Sequence, residues 1–133
     1  MLCRAFKPED FPQVFVLLFE NSVEPPREVE ELAGPCFVVE KDKKIIGIIW
    51  ALVGESTKAY VDFLAVAKEH RNSRAFFLLT ETLDKELRRR GVKRYMFHTE
   101  KFNTWGVNFI YKHHKEMKIY ALNDLSYFCR ELT

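Results

Sequence analysis

The stretch KAYVDFLAVAKEHRNSRAFFLLTETLDKELRRRGVKRYMFHTE, residues 58–100, decides the fold. Residues 58–66 are rich in β-branched and aromatic side chains, as strands prefer. Phe76, Leu79, Leu83 and Leu87 then fall on one side of a helix, which predicts a long helix over residues 72–90 with a single apolar stripe. Gly91 is a natural helix stop. Residues 93–100 (KRYMFHTE) return to strand character. A strand, a long helix and a strand in this order favour a right-handed parallel crossover.

The flanks add hairpins. CFVVEKDKKIIGIIWALV (36–53) holds two apolar arms around a charged turn at Lys41 to Lys44. Residues 117–122 and 125–132 read as two strands joined at Asn123-Asp124. Near the start, Leu2 to Phe6 reads as a strand. A helix comes next, with Pro8 near its first turn and Phe11, Val14, Phe15, Leu18 and Phe19 at helical spacing. Arg27 to Leu32 reads as a second short helix, and Asn103 to Lys112 as a helix carrying Trp105, Phe109 and Ile110. The order β-α-α-β-β-β-α-β-α-β-β predicts an α/β (α+β) chain with a mixed, mostly antiparallel central sheet flanked by helices. A length of 133 residues fits one domain spanning 1–133.

Composition narrows the function classes. The net charge of +2 is too balanced for a whole-chain field that captures nucleic acid. The basic clusters at 88–94 and 112–115 are the only features favouring such a partner. The longest apolar run, Ile45 to Val53, is too short to span a membrane, and no targeting peptide is evident, so we expect a soluble, cytoplasmic protein. Cys3, Cys36 and Cys129 lack CxxC spacing and lie in strand-like runs, which predicts free, packed thiols. His113-His114 has no third ligand at convincing spacing, so no metal is expected.

The ordered set of segments resembles the GNAT acyltransferase superfamily over nearly the whole chain. CRAFKPEDFPQVFVLL is similar to the first strand and helix of that family, and residues 36–53 resemble its central hairpin, with Gly47 in the second arm. AYVDFLAVAKEHR is similar to its fourth strand and cofactor approach, and Asn103 followed by Phe109 and Tyr111 resembles its late Asn…Phe-Tyr segment. The resemblance implies an N-acetyltransferase that moves an acetyl group from acetyl-CoA to a primary amine of a small molecule or protein. In the family the fourth and fifth strands splay apart around the pantetheine arm, and the pyrophosphate rests at the start of the long helix. Carried onto this chain, cofactor contacts fall on Leu64, Ala65, Val66, Arg71, Asn72, Ser73, Arg74, Ala75 and Asn103. The family loop pattern Arg/Gln-x-x-Gly-x-Gly/Ala keeps its first residue at Arg71, but Arg74 and Phe76 stand at the glycines.

Candidate catalytic residues are set by the reaction. The amine must lose a proton, and the departing thiolate takes one. Asp62 is the first candidate base. It is the only acid in Tyr60-Val61-Asp62-Phe63-Leu64; burial among those apolar neighbours would favour the base role, and an outward position alternating with Tyr60 and Leu64 is the other reading. His98 and Glu100 share one face of the fifth strand and are alternative bases. Tyr111 is the candidate acid, one residue off the family spacing. Phe19 to Gly34 and Gly54 to Lys58 would border the acceptor.

Two other readings stand beside the enzyme. One is a catalytically inactive GNAT-fold protein serving protein–protein assembly, as in a viral or multi-protein complex. The other is a basic-patch nucleic-acid binder. Trp105 and Tyr127 fit either a homodimer interface or the core.

Overall fold

The computed structural model describes residues 1–32, 34–54, 57–71, 73–100, 110, 112, 116–122 and 125–132, with the backbone alone at 99, 100, 121 and 122. Strands β1 (Leu2–Ala5), β2 (Cys36–Lys41), β3 (Lys44–Val53), β4 (Lys58–Val66), β5 (Arg94–Glu100), β6 (Met117–Leu122) and β7 (Leu125–Glu131) form one sheet in the order β1-β2-β3-β4-β5-β7-β6. The helices are α1 (Phe11–Glu20) and α2 (Ala75–Arg89). The β4–β5 pair is parallel and the other pairings are antiparallel, as the crossover and hairpins predict.

Several boundaries differ from the sequence reading. Arg27 to Leu32 forms only a short 3-10 turn, Val29–Leu32. Pro26 and the Gly34-Pro35 stop confine this stretch to little more than one or two turns. The β2–β3 turn narrows to Asp42 and Lys43, both at positive φ (52° and 66°), as tight hairpin turns require. The long helix starts at Ala75 rather than residue 72, after a 3-10 turn at Lys68–His70. The expected helix over 103–112 lies outside the described residues except for Ile110 and Lys112, which are helical.

Helix α2 covers one sheet face. Leu79, Leu83 and Leu87 are fully buried there, the stripe the sequence predicts. Gly47 lets that helix sit close. A Cβ at this position would lie 3.2 Å from Leu79 Cδ1 and 3.4 Å from the Ala65 carbonyl oxygen. Helix α1 packs over β3 and β4 through Val14, Leu17 and Leu18. All three cysteines are free thiols. Cys36 is buried, and desolvation pushes its pKa up to about 12.

An ion-pair cluster ties β1 to the turn before α1 and to β2. Arg4 donates to both carboxylate oxygens of Asp10 (2.7 and 2.9 Å) and to Glu40 (3.1 Å). The Arg4 hydrogen bond, opposed by burial and helped by the Lys7 amide, holds the Asp10 carboxyl below its ordinary range. A carboxyl lowered in the folded state stabilises fully above its unfolded value, about 4, and this contribution fades as pH falls through the folded value. Asp10→Asn is therefore expected to cost about 2 kcal/mol at neutral pH. Below about pH 4 the variant should lose less further stability than the wild type. Urea unfolding across a pH series checks both.

Candidate functional site

The site starts from a fork. β4 and β5 pair only at Lys58–Arg94, Ala59–Tyr95 and Tyr60–Met96. Beyond Tyr60 the strands part, while β4 remains zipped to β3 up to Gly47–Val66. Among the described residues, the backbone of Val61 to Val66 therefore runs on with no β5 partner on its far side. Buried backbone groups need partners, so this edge suits a ligand that can hydrogen-bond like a strand. Leu64, Ala65 and Val66 lie on it, where the sequence reading places pantetheine contacts.

A bulge shapes the fork. Trp50 pairs with Phe63 and the next residue, Ala51, pairs with Val61, so Asp62 is the extra residue of β4. A bulge re-aims a side chain. Asp62 is exposed, the outward position of the two readings its alternation allowed, and not the buried one that would favour a base. It lines a groove of about 450 Å³ with Val23 to Arg27, Glu31, Trp50 and Phe63. The groove thus uses the connection between α1 and β2, the stretch expected to border the acceptor. The Trp50 and Phe63 rings meet at 5.3 Å.

A second cluster sits at the fork apex. The Tyr60 hydroxyl and His98 Nδ1 share a hydrogen bond across the two strands. The Tyr127 ring lies 5.6 Å from His98, and His98 and Tyr127 are cross-strand partners. Desolvation, then the nearby Asp62 carboxylate, pushes the Tyr60 pKa up. The phenol therefore keeps its proton at neutral pH, and in the Nε2–H tautomer of the imidazole it donates to Nδ1 of the exposed His98 side chain. The sequence reading had His98 but missed Tyr60. The signal was the shared strand pair, visible only once the register is known.

The loop into α2 is partly committed to its own structure. The Arg71 guanidinium donates to Asn21 Oδ1 at 2.9 Å, and Asn21 in turn donates to the Leu17 carbonyl at the end of α1 (2.8 Å). A cation suits a helix carboxyl end, so α1 supplies a partner for an arginine that would otherwise oppose the α2 dipole. Ser73 Oγ accepts the Ala75 amide at 3.3 Å, just ahead of the N-cap Arg74. Arg74 is exposed beside that start. Ala75 is buried, and Phe76, in place of a glycine, turns into the core at 8% exposure. Asn72, Asn103 and Tyr111 lie outside the described residues, as does the Glu100 side chain.

The basic cluster at the end of α2 has internal partners. Arg88 donates to the Leu132 carbonyl (3.2 Å), and Arg89 and Arg90 both pair with Glu86. His113-His114 lies outside the described residues. Among the described residues, no group of three His, Cys, Asp or Glu side chains converges as metal ligands, and no helix is long and apolar enough to cross a membrane.

Comparison with known proteins places the fold. PaiA N-acetyltransferase from Thermoplasma acidophilum, solved with coenzyme A, is similar at TM-score 0.80 and 14% identity, over 98% of each chain. The ribosomal-protein-S18-alanine N-acetyltransferase of Escherichia coli matches at 0.78 and 17%, over 99% of this chain and 94% of that one. N-acetylglutamate synthase of Neisseria gonorrhoeae, solved with coenzyme A and N-acetyl-glutamate, matches at 0.79 and 15%, over 99% of this chain and 35% of its own. No curated protein sequence matches. The sequence profile of the acetyltransferase (GNAT) family matches residues 2–114. With most of its length inside that profile and the family's forked sheet in its structure, this chain belongs to the GNAT acetyltransferase family.

Proposed function

We propose that this protein is a single-domain N-acetyltransferase that uses acetyl-CoA to acetylate a primary amine. The observation carrying this reading is the fork, where β4 and β5 separate after Tyr60–Met96. The residues present fit the cofactor. The β4 edge at Leu64 to Val66, which has no β5 partner among the described residues, would hold the pantetheine amides, and the start of α2, with Arg74, would face the pyrophosphate. The two structural neighbours solved with coenzyme A support the same choice of ligand. Bound there, acetyl-CoA supplies an activated acetyl thioester.

The chain's own residues manage the proton. Exposed Asp62, at the groove edge, attracts the acceptor ammonium to the fork. The ammonium gives a proton to the Tyr60 oxygen as the phenol proton passes to His98 Nδ1. The imidazolium so formed returns a proton to solvent. Amide formation from an ammonium and a thioester releases a thiol and one net proton, so the count closes. In this scheme Asp62 binds and the Tyr60–His98 pair acts as the base. Tyr111 remains the proposed acid for the thiolate, and Glu100, Asn72 and Asn103 remain proposed site residues on the strength of the resemblance.

Thermal unfolding tests the reading. Acetyl-CoA at about 100 times its Kd should add about 2.7 kcal/mol of stability and raise Tm, and mass spectrometry should detect acetylation of the amine. No shift at millimolar acetyl-CoA contradicts the proposal. Binding without acetylation of any amine favours the inactive scaffold, the reading that Arg74 and Phe76 at the glycine positions support.

A further inference from the structure

The acceptor groove has a definite chemistry. Its lining carries three carboxylates, Glu24, Glu31 and Asp62, against one guanidinium, Arg27. The wall between them is apolar and aromatic, built by Pro25, Trp50 and Phe63. A volume of about 450 Å³ falls in the range of small-molecule sites, about 300–1,000 Å³.

From this we infer that the acceptor is a linear alkyl diamine or polyamine: one ammonium meets Asp62 at the fork, the alkyl chain lies on Trp50 and Phe63, and a second ammonium meets Glu24 and Glu31. The inference rests on the acetyltransferase reading for its first ammonium and names the substrate class. The physical grounds are charge and shape together. A monoamine would leave Glu24 and Glu31 with Arg27 as the one cation of the lining, two carboxylates against one guanidinium, even though Glu31 also accepts the Arg27 amide at 3.1 Å. A neutral acceptor would gain nothing from the acidic rim. A carboxylate-bearing amino acid would meet three like charges against the single Arg27 guanidinium, a net repulsion. A flexible chain with charge at both ends satisfies both ends of the groove and its middle.

The experiment uses the full chain without cofactor, so its outcome does not depend on acetyl-CoA binding. Calorimetric titration compares hexanediamine with hexylamine, which differ only by the second ammonium. The diamine is expected to bind about fivefold more tightly, the scale of one favourable exposed ion pair. That preference should shrink as salt rises. In the Glu24→Gln/Glu31→Gln double variant the two ligands should bind equally. Both side chains are exposed, and a thermal melt confirms that the variant folds. Equal binding by the wild type, a preference that survives in the double variant, or tighter binding of an unblocked neutral peptide than of the diamine overturns the inference. If the diamine preference holds but acetyl-CoA does not bind, the acetyltransferase reading fails while the groove chemistry stands.

Discussion

Tyr60→Phe should lower kcat for amine acetylation by about 100- to 10,000-fold, the range for losing a positioned acid–base group. The amine KM should change little, because the removed hydroxyl acts on the proton and not on the bound charge. His98→Gln should move kcat in the same direction and alter its pH profile, since the proton then has no imidazole to reach. Asp62→Asn should show the opposite split, raising KM for the amine more than it lowers kcat. Tyr60 is half-buried on a strand that is paired at that position. Removing one oxygen therefore leaves the packing in place, and a normal melting curve should accompany the lost turnover. If Asp62→Asn instead abolishes kcat while Tyr60→Phe and His98→Gln do not, the carboxylate is the base and the relay is not used.

Arg74→Glu should separate cofactor binding from stability. Arg74 precedes α2 and is exposed. A negative charge at a helix amino end stabilises it by about 0.3–1 kcal/mol, so Tm should hold or rise slightly. The same charge would oppose a pyrophosphate and remove a charge-assisted hydrogen bond worth about 1.5–3 kcal/mol. KM for acetyl-CoA should therefore rise by about 10- to 100-fold. Steady-state kinetics and a melting curve on the same preparation read both effects. A higher Tm with unchanged KM would mean that Arg74 is a solvated side chain that the nucleotide never meets.

The strands, the long helix and their order were legible because each is set by local pattern. The stripe Phe76, Leu79, Leu83, Leu87 and the β-rich run 58–66 need no knowledge of neighbours. The site was harder to read, because its parts depend on register. Asp62 sits between apolar residues, and its alternation with Tyr60 and Leu64 left burial and exposure both open. The β4 bulge makes it the extra residue and turns it towards the groove. Tyr60 and His98 are far apart in sequence and meet only because β4 and β5 run parallel and stay paired as far as Tyr60. Arg71 was read only as the first residue of the loop into α2, whereas its partner Asn21 comes from the end of α1. Pattern reports which residues form an element, but not which residues of two elements face each other.

Hydrogen exchange at the β4 amides, with and without coenzyme A, is the most direct check on the fork as the cofactor's seat. Ligand should slow exchange within Val61 to Val66, where β4 has lost its β5 neighbour, and leave Lys58 to Tyr60 unchanged because they are already paired. Protection elsewhere in the chain, with Val61 to Val66 exchanging as fast as before while coenzyme A is bound, would contradict the account.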